Sequence, residues 1–300
     1  MNAELITSAK NPKFKNLLLL QEKSKARREQ GLFVVEGRRE LEHCLEAGFS
    51  VRTIFVCPEI AGAKMEEVVC SKPMATLGHV RGRGPLQSSG RGRSEAETVL
   101  NRQTSGVGAP AIVEIPPELY RKAAYREGTE GIIAEVEVKE LRLDDLALPE
   151  NPLIVVLEAV EKPGNLGAVL RSADAARADA VIVCDPLTDL YNPNLIRASI
   201  GAIFTVPTVA VSSADAIAFL KARVIQILTA QLQDSSLYYD VDMKRGTAIV
   251  MGTESTGLTD VWRTAADAHI RIPMLGRLDS LNVSVSAAIL LFEAVRQREI

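Results

Sequence analysis

Three short segments in the second half of the chain combine glycine with polar side chains. They are E-K-P-G-N-L-G-A-V-L-R (Glu161 to Arg171), M-G-T-E-S-T-G-L (Met251 to Leu258) and I-P-M-L-G-R-L-D-S-L-N-V-S (Ile272 to Ser284). Gly164 and Gly167 permit a tight turn, Asn165 is placed to cap a following helix, and Arg171 lies less than two turns into it. Glu254 sits between Gly252 and Gly257 in a loop whose backbone amides can approach a ligand closely. The third segment leads through Ser280, Asn282, Ser284 and Ser286 into a helix. There Val283, Ala287, Leu290, Leu291, Ala294 and Val295 recur at the spacing of a buried face. One Ser or Asn suffices to cap a helix, at about 1 kcal/mol. Four such side chains imply that something polar is held there. Backbone groups of all three loops could together cradle an adenosine.

Other chemistries lack their residues. No G-x-G-x-x-G follows the first strand of this half and no G-x-x-x-x-G-K-[ST] exists, which disfavours dinucleotide and P-loop sites. No G-x-S-x-G elbow exists for a serine hydrolase. Cys44, Cys57, Cys70 and Cys184 form no C-x-x-C pair, and His43, His79 and His269 are far apart, so no metal site is expected. The thiols read as reduced, the N-terminus has no signal pattern, and no apolar run spans a membrane; a cytoplasmic location is expected. The net charge of -3 excludes a wholly basic nucleic-acid coat but leaves room for a local patch.

The elements that must position the three segments alternate regularly. Strands are expected at L-I-V-V-L-E-A from Leu153, A-V-I-V-C-D, I-F-T-V-P, V-I-Q-I-L-T-A, T-A-I-V-M-G and I-R-I-P. Helices are expected at Leu166 to Arg177, near Asn194 to Ile200, at Ala214 to Ala222, and from Val283 onward. Aromatic residues are only 4%, and a Val/Ile/Leu/Ala core suits a parallel sheet covered by helices. In such sheets ligands bind beyond the carboxyl ends of the strands, where all three segments fall.

Before this half the composition differs. From Thr7 to Arg39 the chain is basic, and a helix from about Pro12 to Gln30 would bury Phe14, Leu17 and Leu18 and turn its cations outward. Lys10, Lys13, Lys15, Arg27, Arg28 and Arg38 form a local basic patch of the kind that grips a nucleic-acid backbone, and are the expected footprint if the partner is RNA. Strands at F-V-V-E-G, V-R-T-I-F-V, A-I-V-E-I and G-I-I-A-E-V, with helices at Glu40 to Ala47 and P-P-E-L-Y-R-K-A-A-Y, imply a small α/β unit. Ser71 to Pro110 contains R-G-R-G-P-L-Q-S-S-G-R-G-R, has no apolar periodicity, and reads as a disordered insert; RNA binding is the alternative reading. The expected division is residues 1–140 as a basic α/β unit, 141–152 as a linker, and 153–300 as the parallel-sheet domain that carries the three segments.

The three segments in this order resemble the SpoU/TrmH family of RNA ribose 2′-O-methyltransferases, within the SPOUT class. N-x-G-x-x-x-R is matched by Asn165, Gly167 and Arg171, G-x-E-x-x-G by Gly252, Glu254 and Gly257, and S-L-N-V-S by Ser280 to Ser284. D-P at Asp185 and R-A-S-x-G-A from Arg197 to Ala202 add to the likeness. I-T-S-A-K-N-P-K-F-K and F-V-V-E-G-R-R-E resemble the family's ribosomal-protein-like substrate domain. The resemblance implies an α/β domain with a deep trefoil knot, an exception to unknotted topology, and a homodimer. It implies S-adenosylmethionine as cofactor, held by backbone at Gly252, Ile272 and Leu281. Catalysis would fall to Arg171, Asn165, Glu254, Ser280 and Asn282. Arg171 would take the ribose proton or, since arginine is a poor base, orient the nucleotide and lower the pKa of the hydroxyl. The implied substrate is ribosomal RNA. A transfer-RNA enzyme and a catalytically silent RNA- or ribosome-binding protein of the same fold are the alternatives.

Overall fold

The structure, a computed structural model, describes residues 3–62, 109–125, 130–253, 256–277 and 280–299. The Gly/Arg/Ser-rich stretch lies outside the described residues except for Ala109 and Pro110.

The described chain builds two sheets. The first holds β1 (Glu4–Leu5), β2 (Leu32–Glu36), β3 (Val51–Val56), β4 (Ala111–Glu114) and β5 (Ile132–Glu137), in the order β1-β4-β3-β5-β2. Pairing is parallel from β1 to β3 and antiparallel around β5. The second holds β6 (Leu153–Glu158), β7 (Ala180–Cys184), β8 (Thr208–Val211), β9 (Gln226–Ala230), β10 (Ser236–Leu237), β11 (Thr247–Met251) and β12 (Ala268–Arg271). Its order is β10-β12-β9-β11-β6-β7-β8, with every pairing parallel.

The unbroken apolar run of β6 follows from burial on both faces. Leu153, Val155 and Leu157 join a central core, while Ile154 and Val156 join the core on the opposite side. β2 divides in the same way: Phe33 and Val35 enter the central core, and Leu32 and Val34 pack with Phe14, Leu17 and Leu20 on the outer side. One hydrophobic layer therefore lies between the two sheets. It also takes in Leu166, Val169 and Leu170 of the Pro163–Ala175 helix and Ala287, Leu290 and Leu291 of the Val283–Glu299 helix.

Two expectations are corrected. The basic helix is two helices, Pro12–Glu22 and Ser24–Gln30, because Lys23 is extended (φ -111°, ψ 110°), and Leu20 rather than Leu18 fills the buried position. I-F-T-V-P is not a strand. Gly201 in the left-handed region (φ 83°) starts a short helix, Ala202–Thr205, and β8 begins only at Thr208.

Candidate functional site

Strand order places the candidate segments together. β6 lies between β11 and β7, and the chain reverses its direction of travel across the sheet there, so the loops leaving β6 and β11 open side by side at the carboxyl edge. β12 is two strands beyond β11, on the far side of β9.

After β6 the helix begins earlier than expected, at Pro163, with Lys162 as its N-cap residue. Asn165 is therefore inside the first turn rather than at the cap, and its carboxamide is used for a long-range contact. Asn282 Nδ2 donates to Asn165 Oδ1 at 3.2 Å, joining the first and third segments across 117 residues. Asn282 is the residue that caps the last helix. Its Oδ1 accepts from the Ser284 amide at 3.0 Å and the Ser284 hydroxyl at 2.6 Å, and its carbonyl accepts from the amides of Val285 and Ser286. Ser280 and Leu281, just before it, are exposed. Arg171 is exposed further along the Pro163–Ala175 helix and has no hydrogen bond or ion pair among the described residues.

Gly167 is required by packing. A Cβ there would lie 2.6 Å from Ala198 Cβ and 2.8 Å from the Ser199 amide nitrogen, so the Pro163–Ala175 and Pro193–Ser199 helices can cross this closely only over glycine. Two of the sequence motifs are thus the two sides of one contact. In the second segment a Cβ at Gly252 would lie 2.3 Å from the carbonyl carbon and oxygen of Gly257. Thr253 and Gly257 pair as an isolated bridge, with the Gly257 amide donating to Thr253 O at 3.0 Å, and Gly257 has φ 68°. Glu254 lies outside the described residues. Ile272, directly after β12, is partly buried, and Leu275 beyond it is 96% exposed.

The sequence reading missed Glu158. This buried carboxylate ends β6 and accepts from both the amide (2.9 Å) and the hydroxyl (2.6 Å) of Thr259, anchoring the exit of the Gly252–Gly257 loop to the first strand. The available signal was an acid closing an otherwise apolar strand. Asp185, part of the D-P pair, instead holds the first residue of the Ser213–Ala222 helix, accepting from the amide and hydroxyl of Ser213, while Ser212 caps that helix. Burial pushes the neighbouring Cys184 thiol up to about 12, with Asp185 and Glu158 adding to the rise; this sulfur is no nucleophile.

The proposed RNA footprint divides. Lys10, Lys15 and Arg28 are exposed, Lys13 is exposed and paired with Glu4, and Arg38 is half-buried and paired with Glu42 at 2.8 Å. Arg27 is corrected. Its side chain is 3% exposed and its Nε donates to Asp189 Oδ2 at 2.6 Å, so it has no open face for RNA.

Comparison with known proteins accords with this geometry. Residues 152–292 match the SpoU rRNA Methylase family, and residues 11–79 match the MRM3-like substrate binding domain. A 23S rRNA (guanosine-2′-O-)-methyltransferase, RlmB, from Ralstonia nicotianae is 37% identical over 72% of this chain and 87% of its own length. The chain belongs to the SpoU family. A 23S rRNA uridine 2′-O-methyltransferase from Streptomyces viridochromogenes is 29% identical over 99% of the chain and 93% of its own length. Among solved structures, an RNA 2′-O ribose methyltransferase superposes with a TM-score of 0.76 at 34% identity, covering 99% of this chain and all of that one. The SpoU methyltransferase AviRb from Streptomyces viridochromogenes, in complex with the cofactor AdoMet, superposes at 0.78 with 26% identity, covering 97% and 99%. The SpoU match covers all three segments, from Asn165 to Asn282.

Proposed function

We propose that this SpoU-family chain methylates a ribose 2′-hydroxyl of 23S ribosomal RNA with S-adenosylmethionine, through the site where Asn282 meets Asn165 on the helix that carries Arg171. That cross-segment contact is the observation that carries the reading. The residues present fit the cofactor. Leu275 and Leu281 are exposed apolar side chains in the same segment as Ile272, and together with the backbone of the glycine-framed second loop they offer the mixture of apolar and polar groups suited to an adenine ring with a polar tail. When bound, S-adenosylmethionine supplies an activated methyl group. The chain's task is to place the ribose and handle charge. The permanently charged guanidinium of Arg171, which has no ion pair among the described residues, binds an adjacent phosphate and stabilises the negative charge that develops on the 2′-oxygen as its proton leaves. Asn165, Ser280 and Asn282 hold the ribose in line, and the 2′-hydroxyl itself distinguishes RNA from DNA.

In the same reading, residues 1–140 form the RNA-binding domain, 141–152 the linker, and 153–300 a knotted catalytic domain in the cytoplasm. The return of the last helix onto the Pro163–Ala175 helix supports the knot. Val285 and Phe292, exposed on the last helix with Ala288 and Ile289 between them, form an apolar stripe that supports a homodimer. The test is to incubate the protein with labelled S-adenosylmethionine and RNA from cells lacking the enzyme, then digest to nucleosides. Label in 2′-O-methylated nucleosides of 23S RNA is the expected result; label on a base, or none with cofactor still bound, rejects it.

Asn282 has separable structural and chemical roles. Asn282→Ser keeps a capping oxygen but cannot bridge to Asn165, so stability should stay near wild type while methyl transfer falls. Asn282→Ala should lose the same activity and about 1 kcal/mol of stability in denaturant titration.

A further inference from the structure

The seam between the two sheets is fastened by more than apolar contact. Arg27 Nη1 donates to Leu20 O at 2.6 Å and Gln21 O at 3.2 Å, while its Nε holds Asp189. Asp189 Oδ1 in turn accepts from the Tyr191 amide at 2.9 Å. The Tyr191 ring stacks on Phe33 of β2, with centroids 4.3 Å apart at 22°, and its hydroxyl donates to Lys139 O at the start of the connecting segment. Phe49 meets Phe204 edge-on at 5.3 Å. Adhesion alone does not call for a buried ion pair, because an apolar pair of similar volume serves as well. A planar guanidinium with three acceptors, facing a carboxylate with two donors, closes in only one relative placement.

We propose that the Arg27–Asp189 pair is a positioning device that fixes the reach from RNA held on the N-terminal unit to Arg171, and thereby selects the nucleotide that is methylated. The inference rests on the methyltransferase reading above. RNA gripped at Lys10, Lys15 and Arg28 is sequence-blind along its backbone. Only a fixed distance from that grip to the reacting site turns it into a choice of one ribose. Loosening the seam leaves both the grip and the catalytic side chains intact but lets the ribose wander, and a misplacement of about 1 Å can lower the rate about a hundredfold.

The test uses full-length Asp189→Asn with 23S RNA, measuring kcat and KM, the map of 2′-O-methylated positions, cofactor affinity by calorimetry, and hydrogen exchange at the seam. Expected are faster exchange at the seam, cofactor affinity within about twofold, KM for RNA within about threefold, kcat down about ten- to a hundredfold, and methylation spread to neighbouring nucleotides. Tyr191→Phe keeps the ring on Phe33, removes the bond to Lys139, and should shift the same readouts by a smaller factor. It carries the test if Asp189→Asn does not fold. Wild-type kcat and a single modified position despite a loosened seam would overturn the proposal. So would an equal loss of cofactor affinity, which marks a purely structural role. Absence of RNA methylation by the wild-type chain itself would instead reject the reading on which this rests.

Discussion

Arg171→Ala should lower methyl transfer to RNA by about 10²- to 10³-fold, the size of effect seen when a single group aimed at developing charge is removed. Cofactor affinity and melting temperature should stay at wild-type values, because Arg171 is exposed and holds no partner among the described residues that its loss would orphan. Arg171→Lys restores little: an ammonium keeps the charge but loses the planar fork that engages phosphate through two parallel bonds. Single-turnover assays with saturating cofactor, beside calorimetry and thermal melts, make the separation. An unchanged rate for Arg171→Ala would remove this residue from the chemistry.

Gly252→Ala disrupts the second segment. The added methyl would sit 2.3 Å from the backbone carbonyl of Gly257, and a backbone atom cannot swing aside as a flexible side chain can. Either the Gly252–Gly257 loop opens or β11 shifts, at about 1–3 kcal/mol. Since Gly252 is a proposed cofactor contact, affinity for S-adenosylmethionine should fall more than tenfold by calorimetry, with a lower melting temperature. Gly257 is the control. A Cβ there meets nothing within 4 Å among the described residues, so the strain expected for Gly257→Asn is that of φ 68°, which asparagine tolerates better than most residues. Its cofactor affinity should remain within a few-fold of wild type. Equal behaviour of the two variants would refute the steric argument.

What was readable in the sequence was local. A parallel, helix-covered sheet showed in the apolar run Leu153 to Leu157 of β6 and its alternation with helices, since burial on both faces favours apolar residues at successive positions. The three loops showed because glycine, asparagine and serine punctuate a chain wherever backbone must turn or cap. Arg27 misled for the complementary reason. Charge was read as exposure, yet the acceptors that made burial tolerable were Leu20 O, just upstream, and Asp189, far along the chain. Ile203 to Pro207 read as a strand by their apolar and largely β-branched character, whereas the left-handed turn at Gly201 committed Ile203 to Thr205 to a short helix and left Val206 extended. Asn165 was read as a cap, the role its type most often has next to a helix. The tertiary structure gave the cap of the last helix to Asn282 and turned Asn165 toward it. Glu158 was invisible as an anchor until β6 and the loop after β11 were brought side by side. Spacing along a chain records which face a residue shares with its near neighbours, and that determined the elements and the polar segments. Which polar atoms meet across more than a hundred residues depends on how the elements pack, so only the fold decided the partners of Arg27, Asn165 and Glu158.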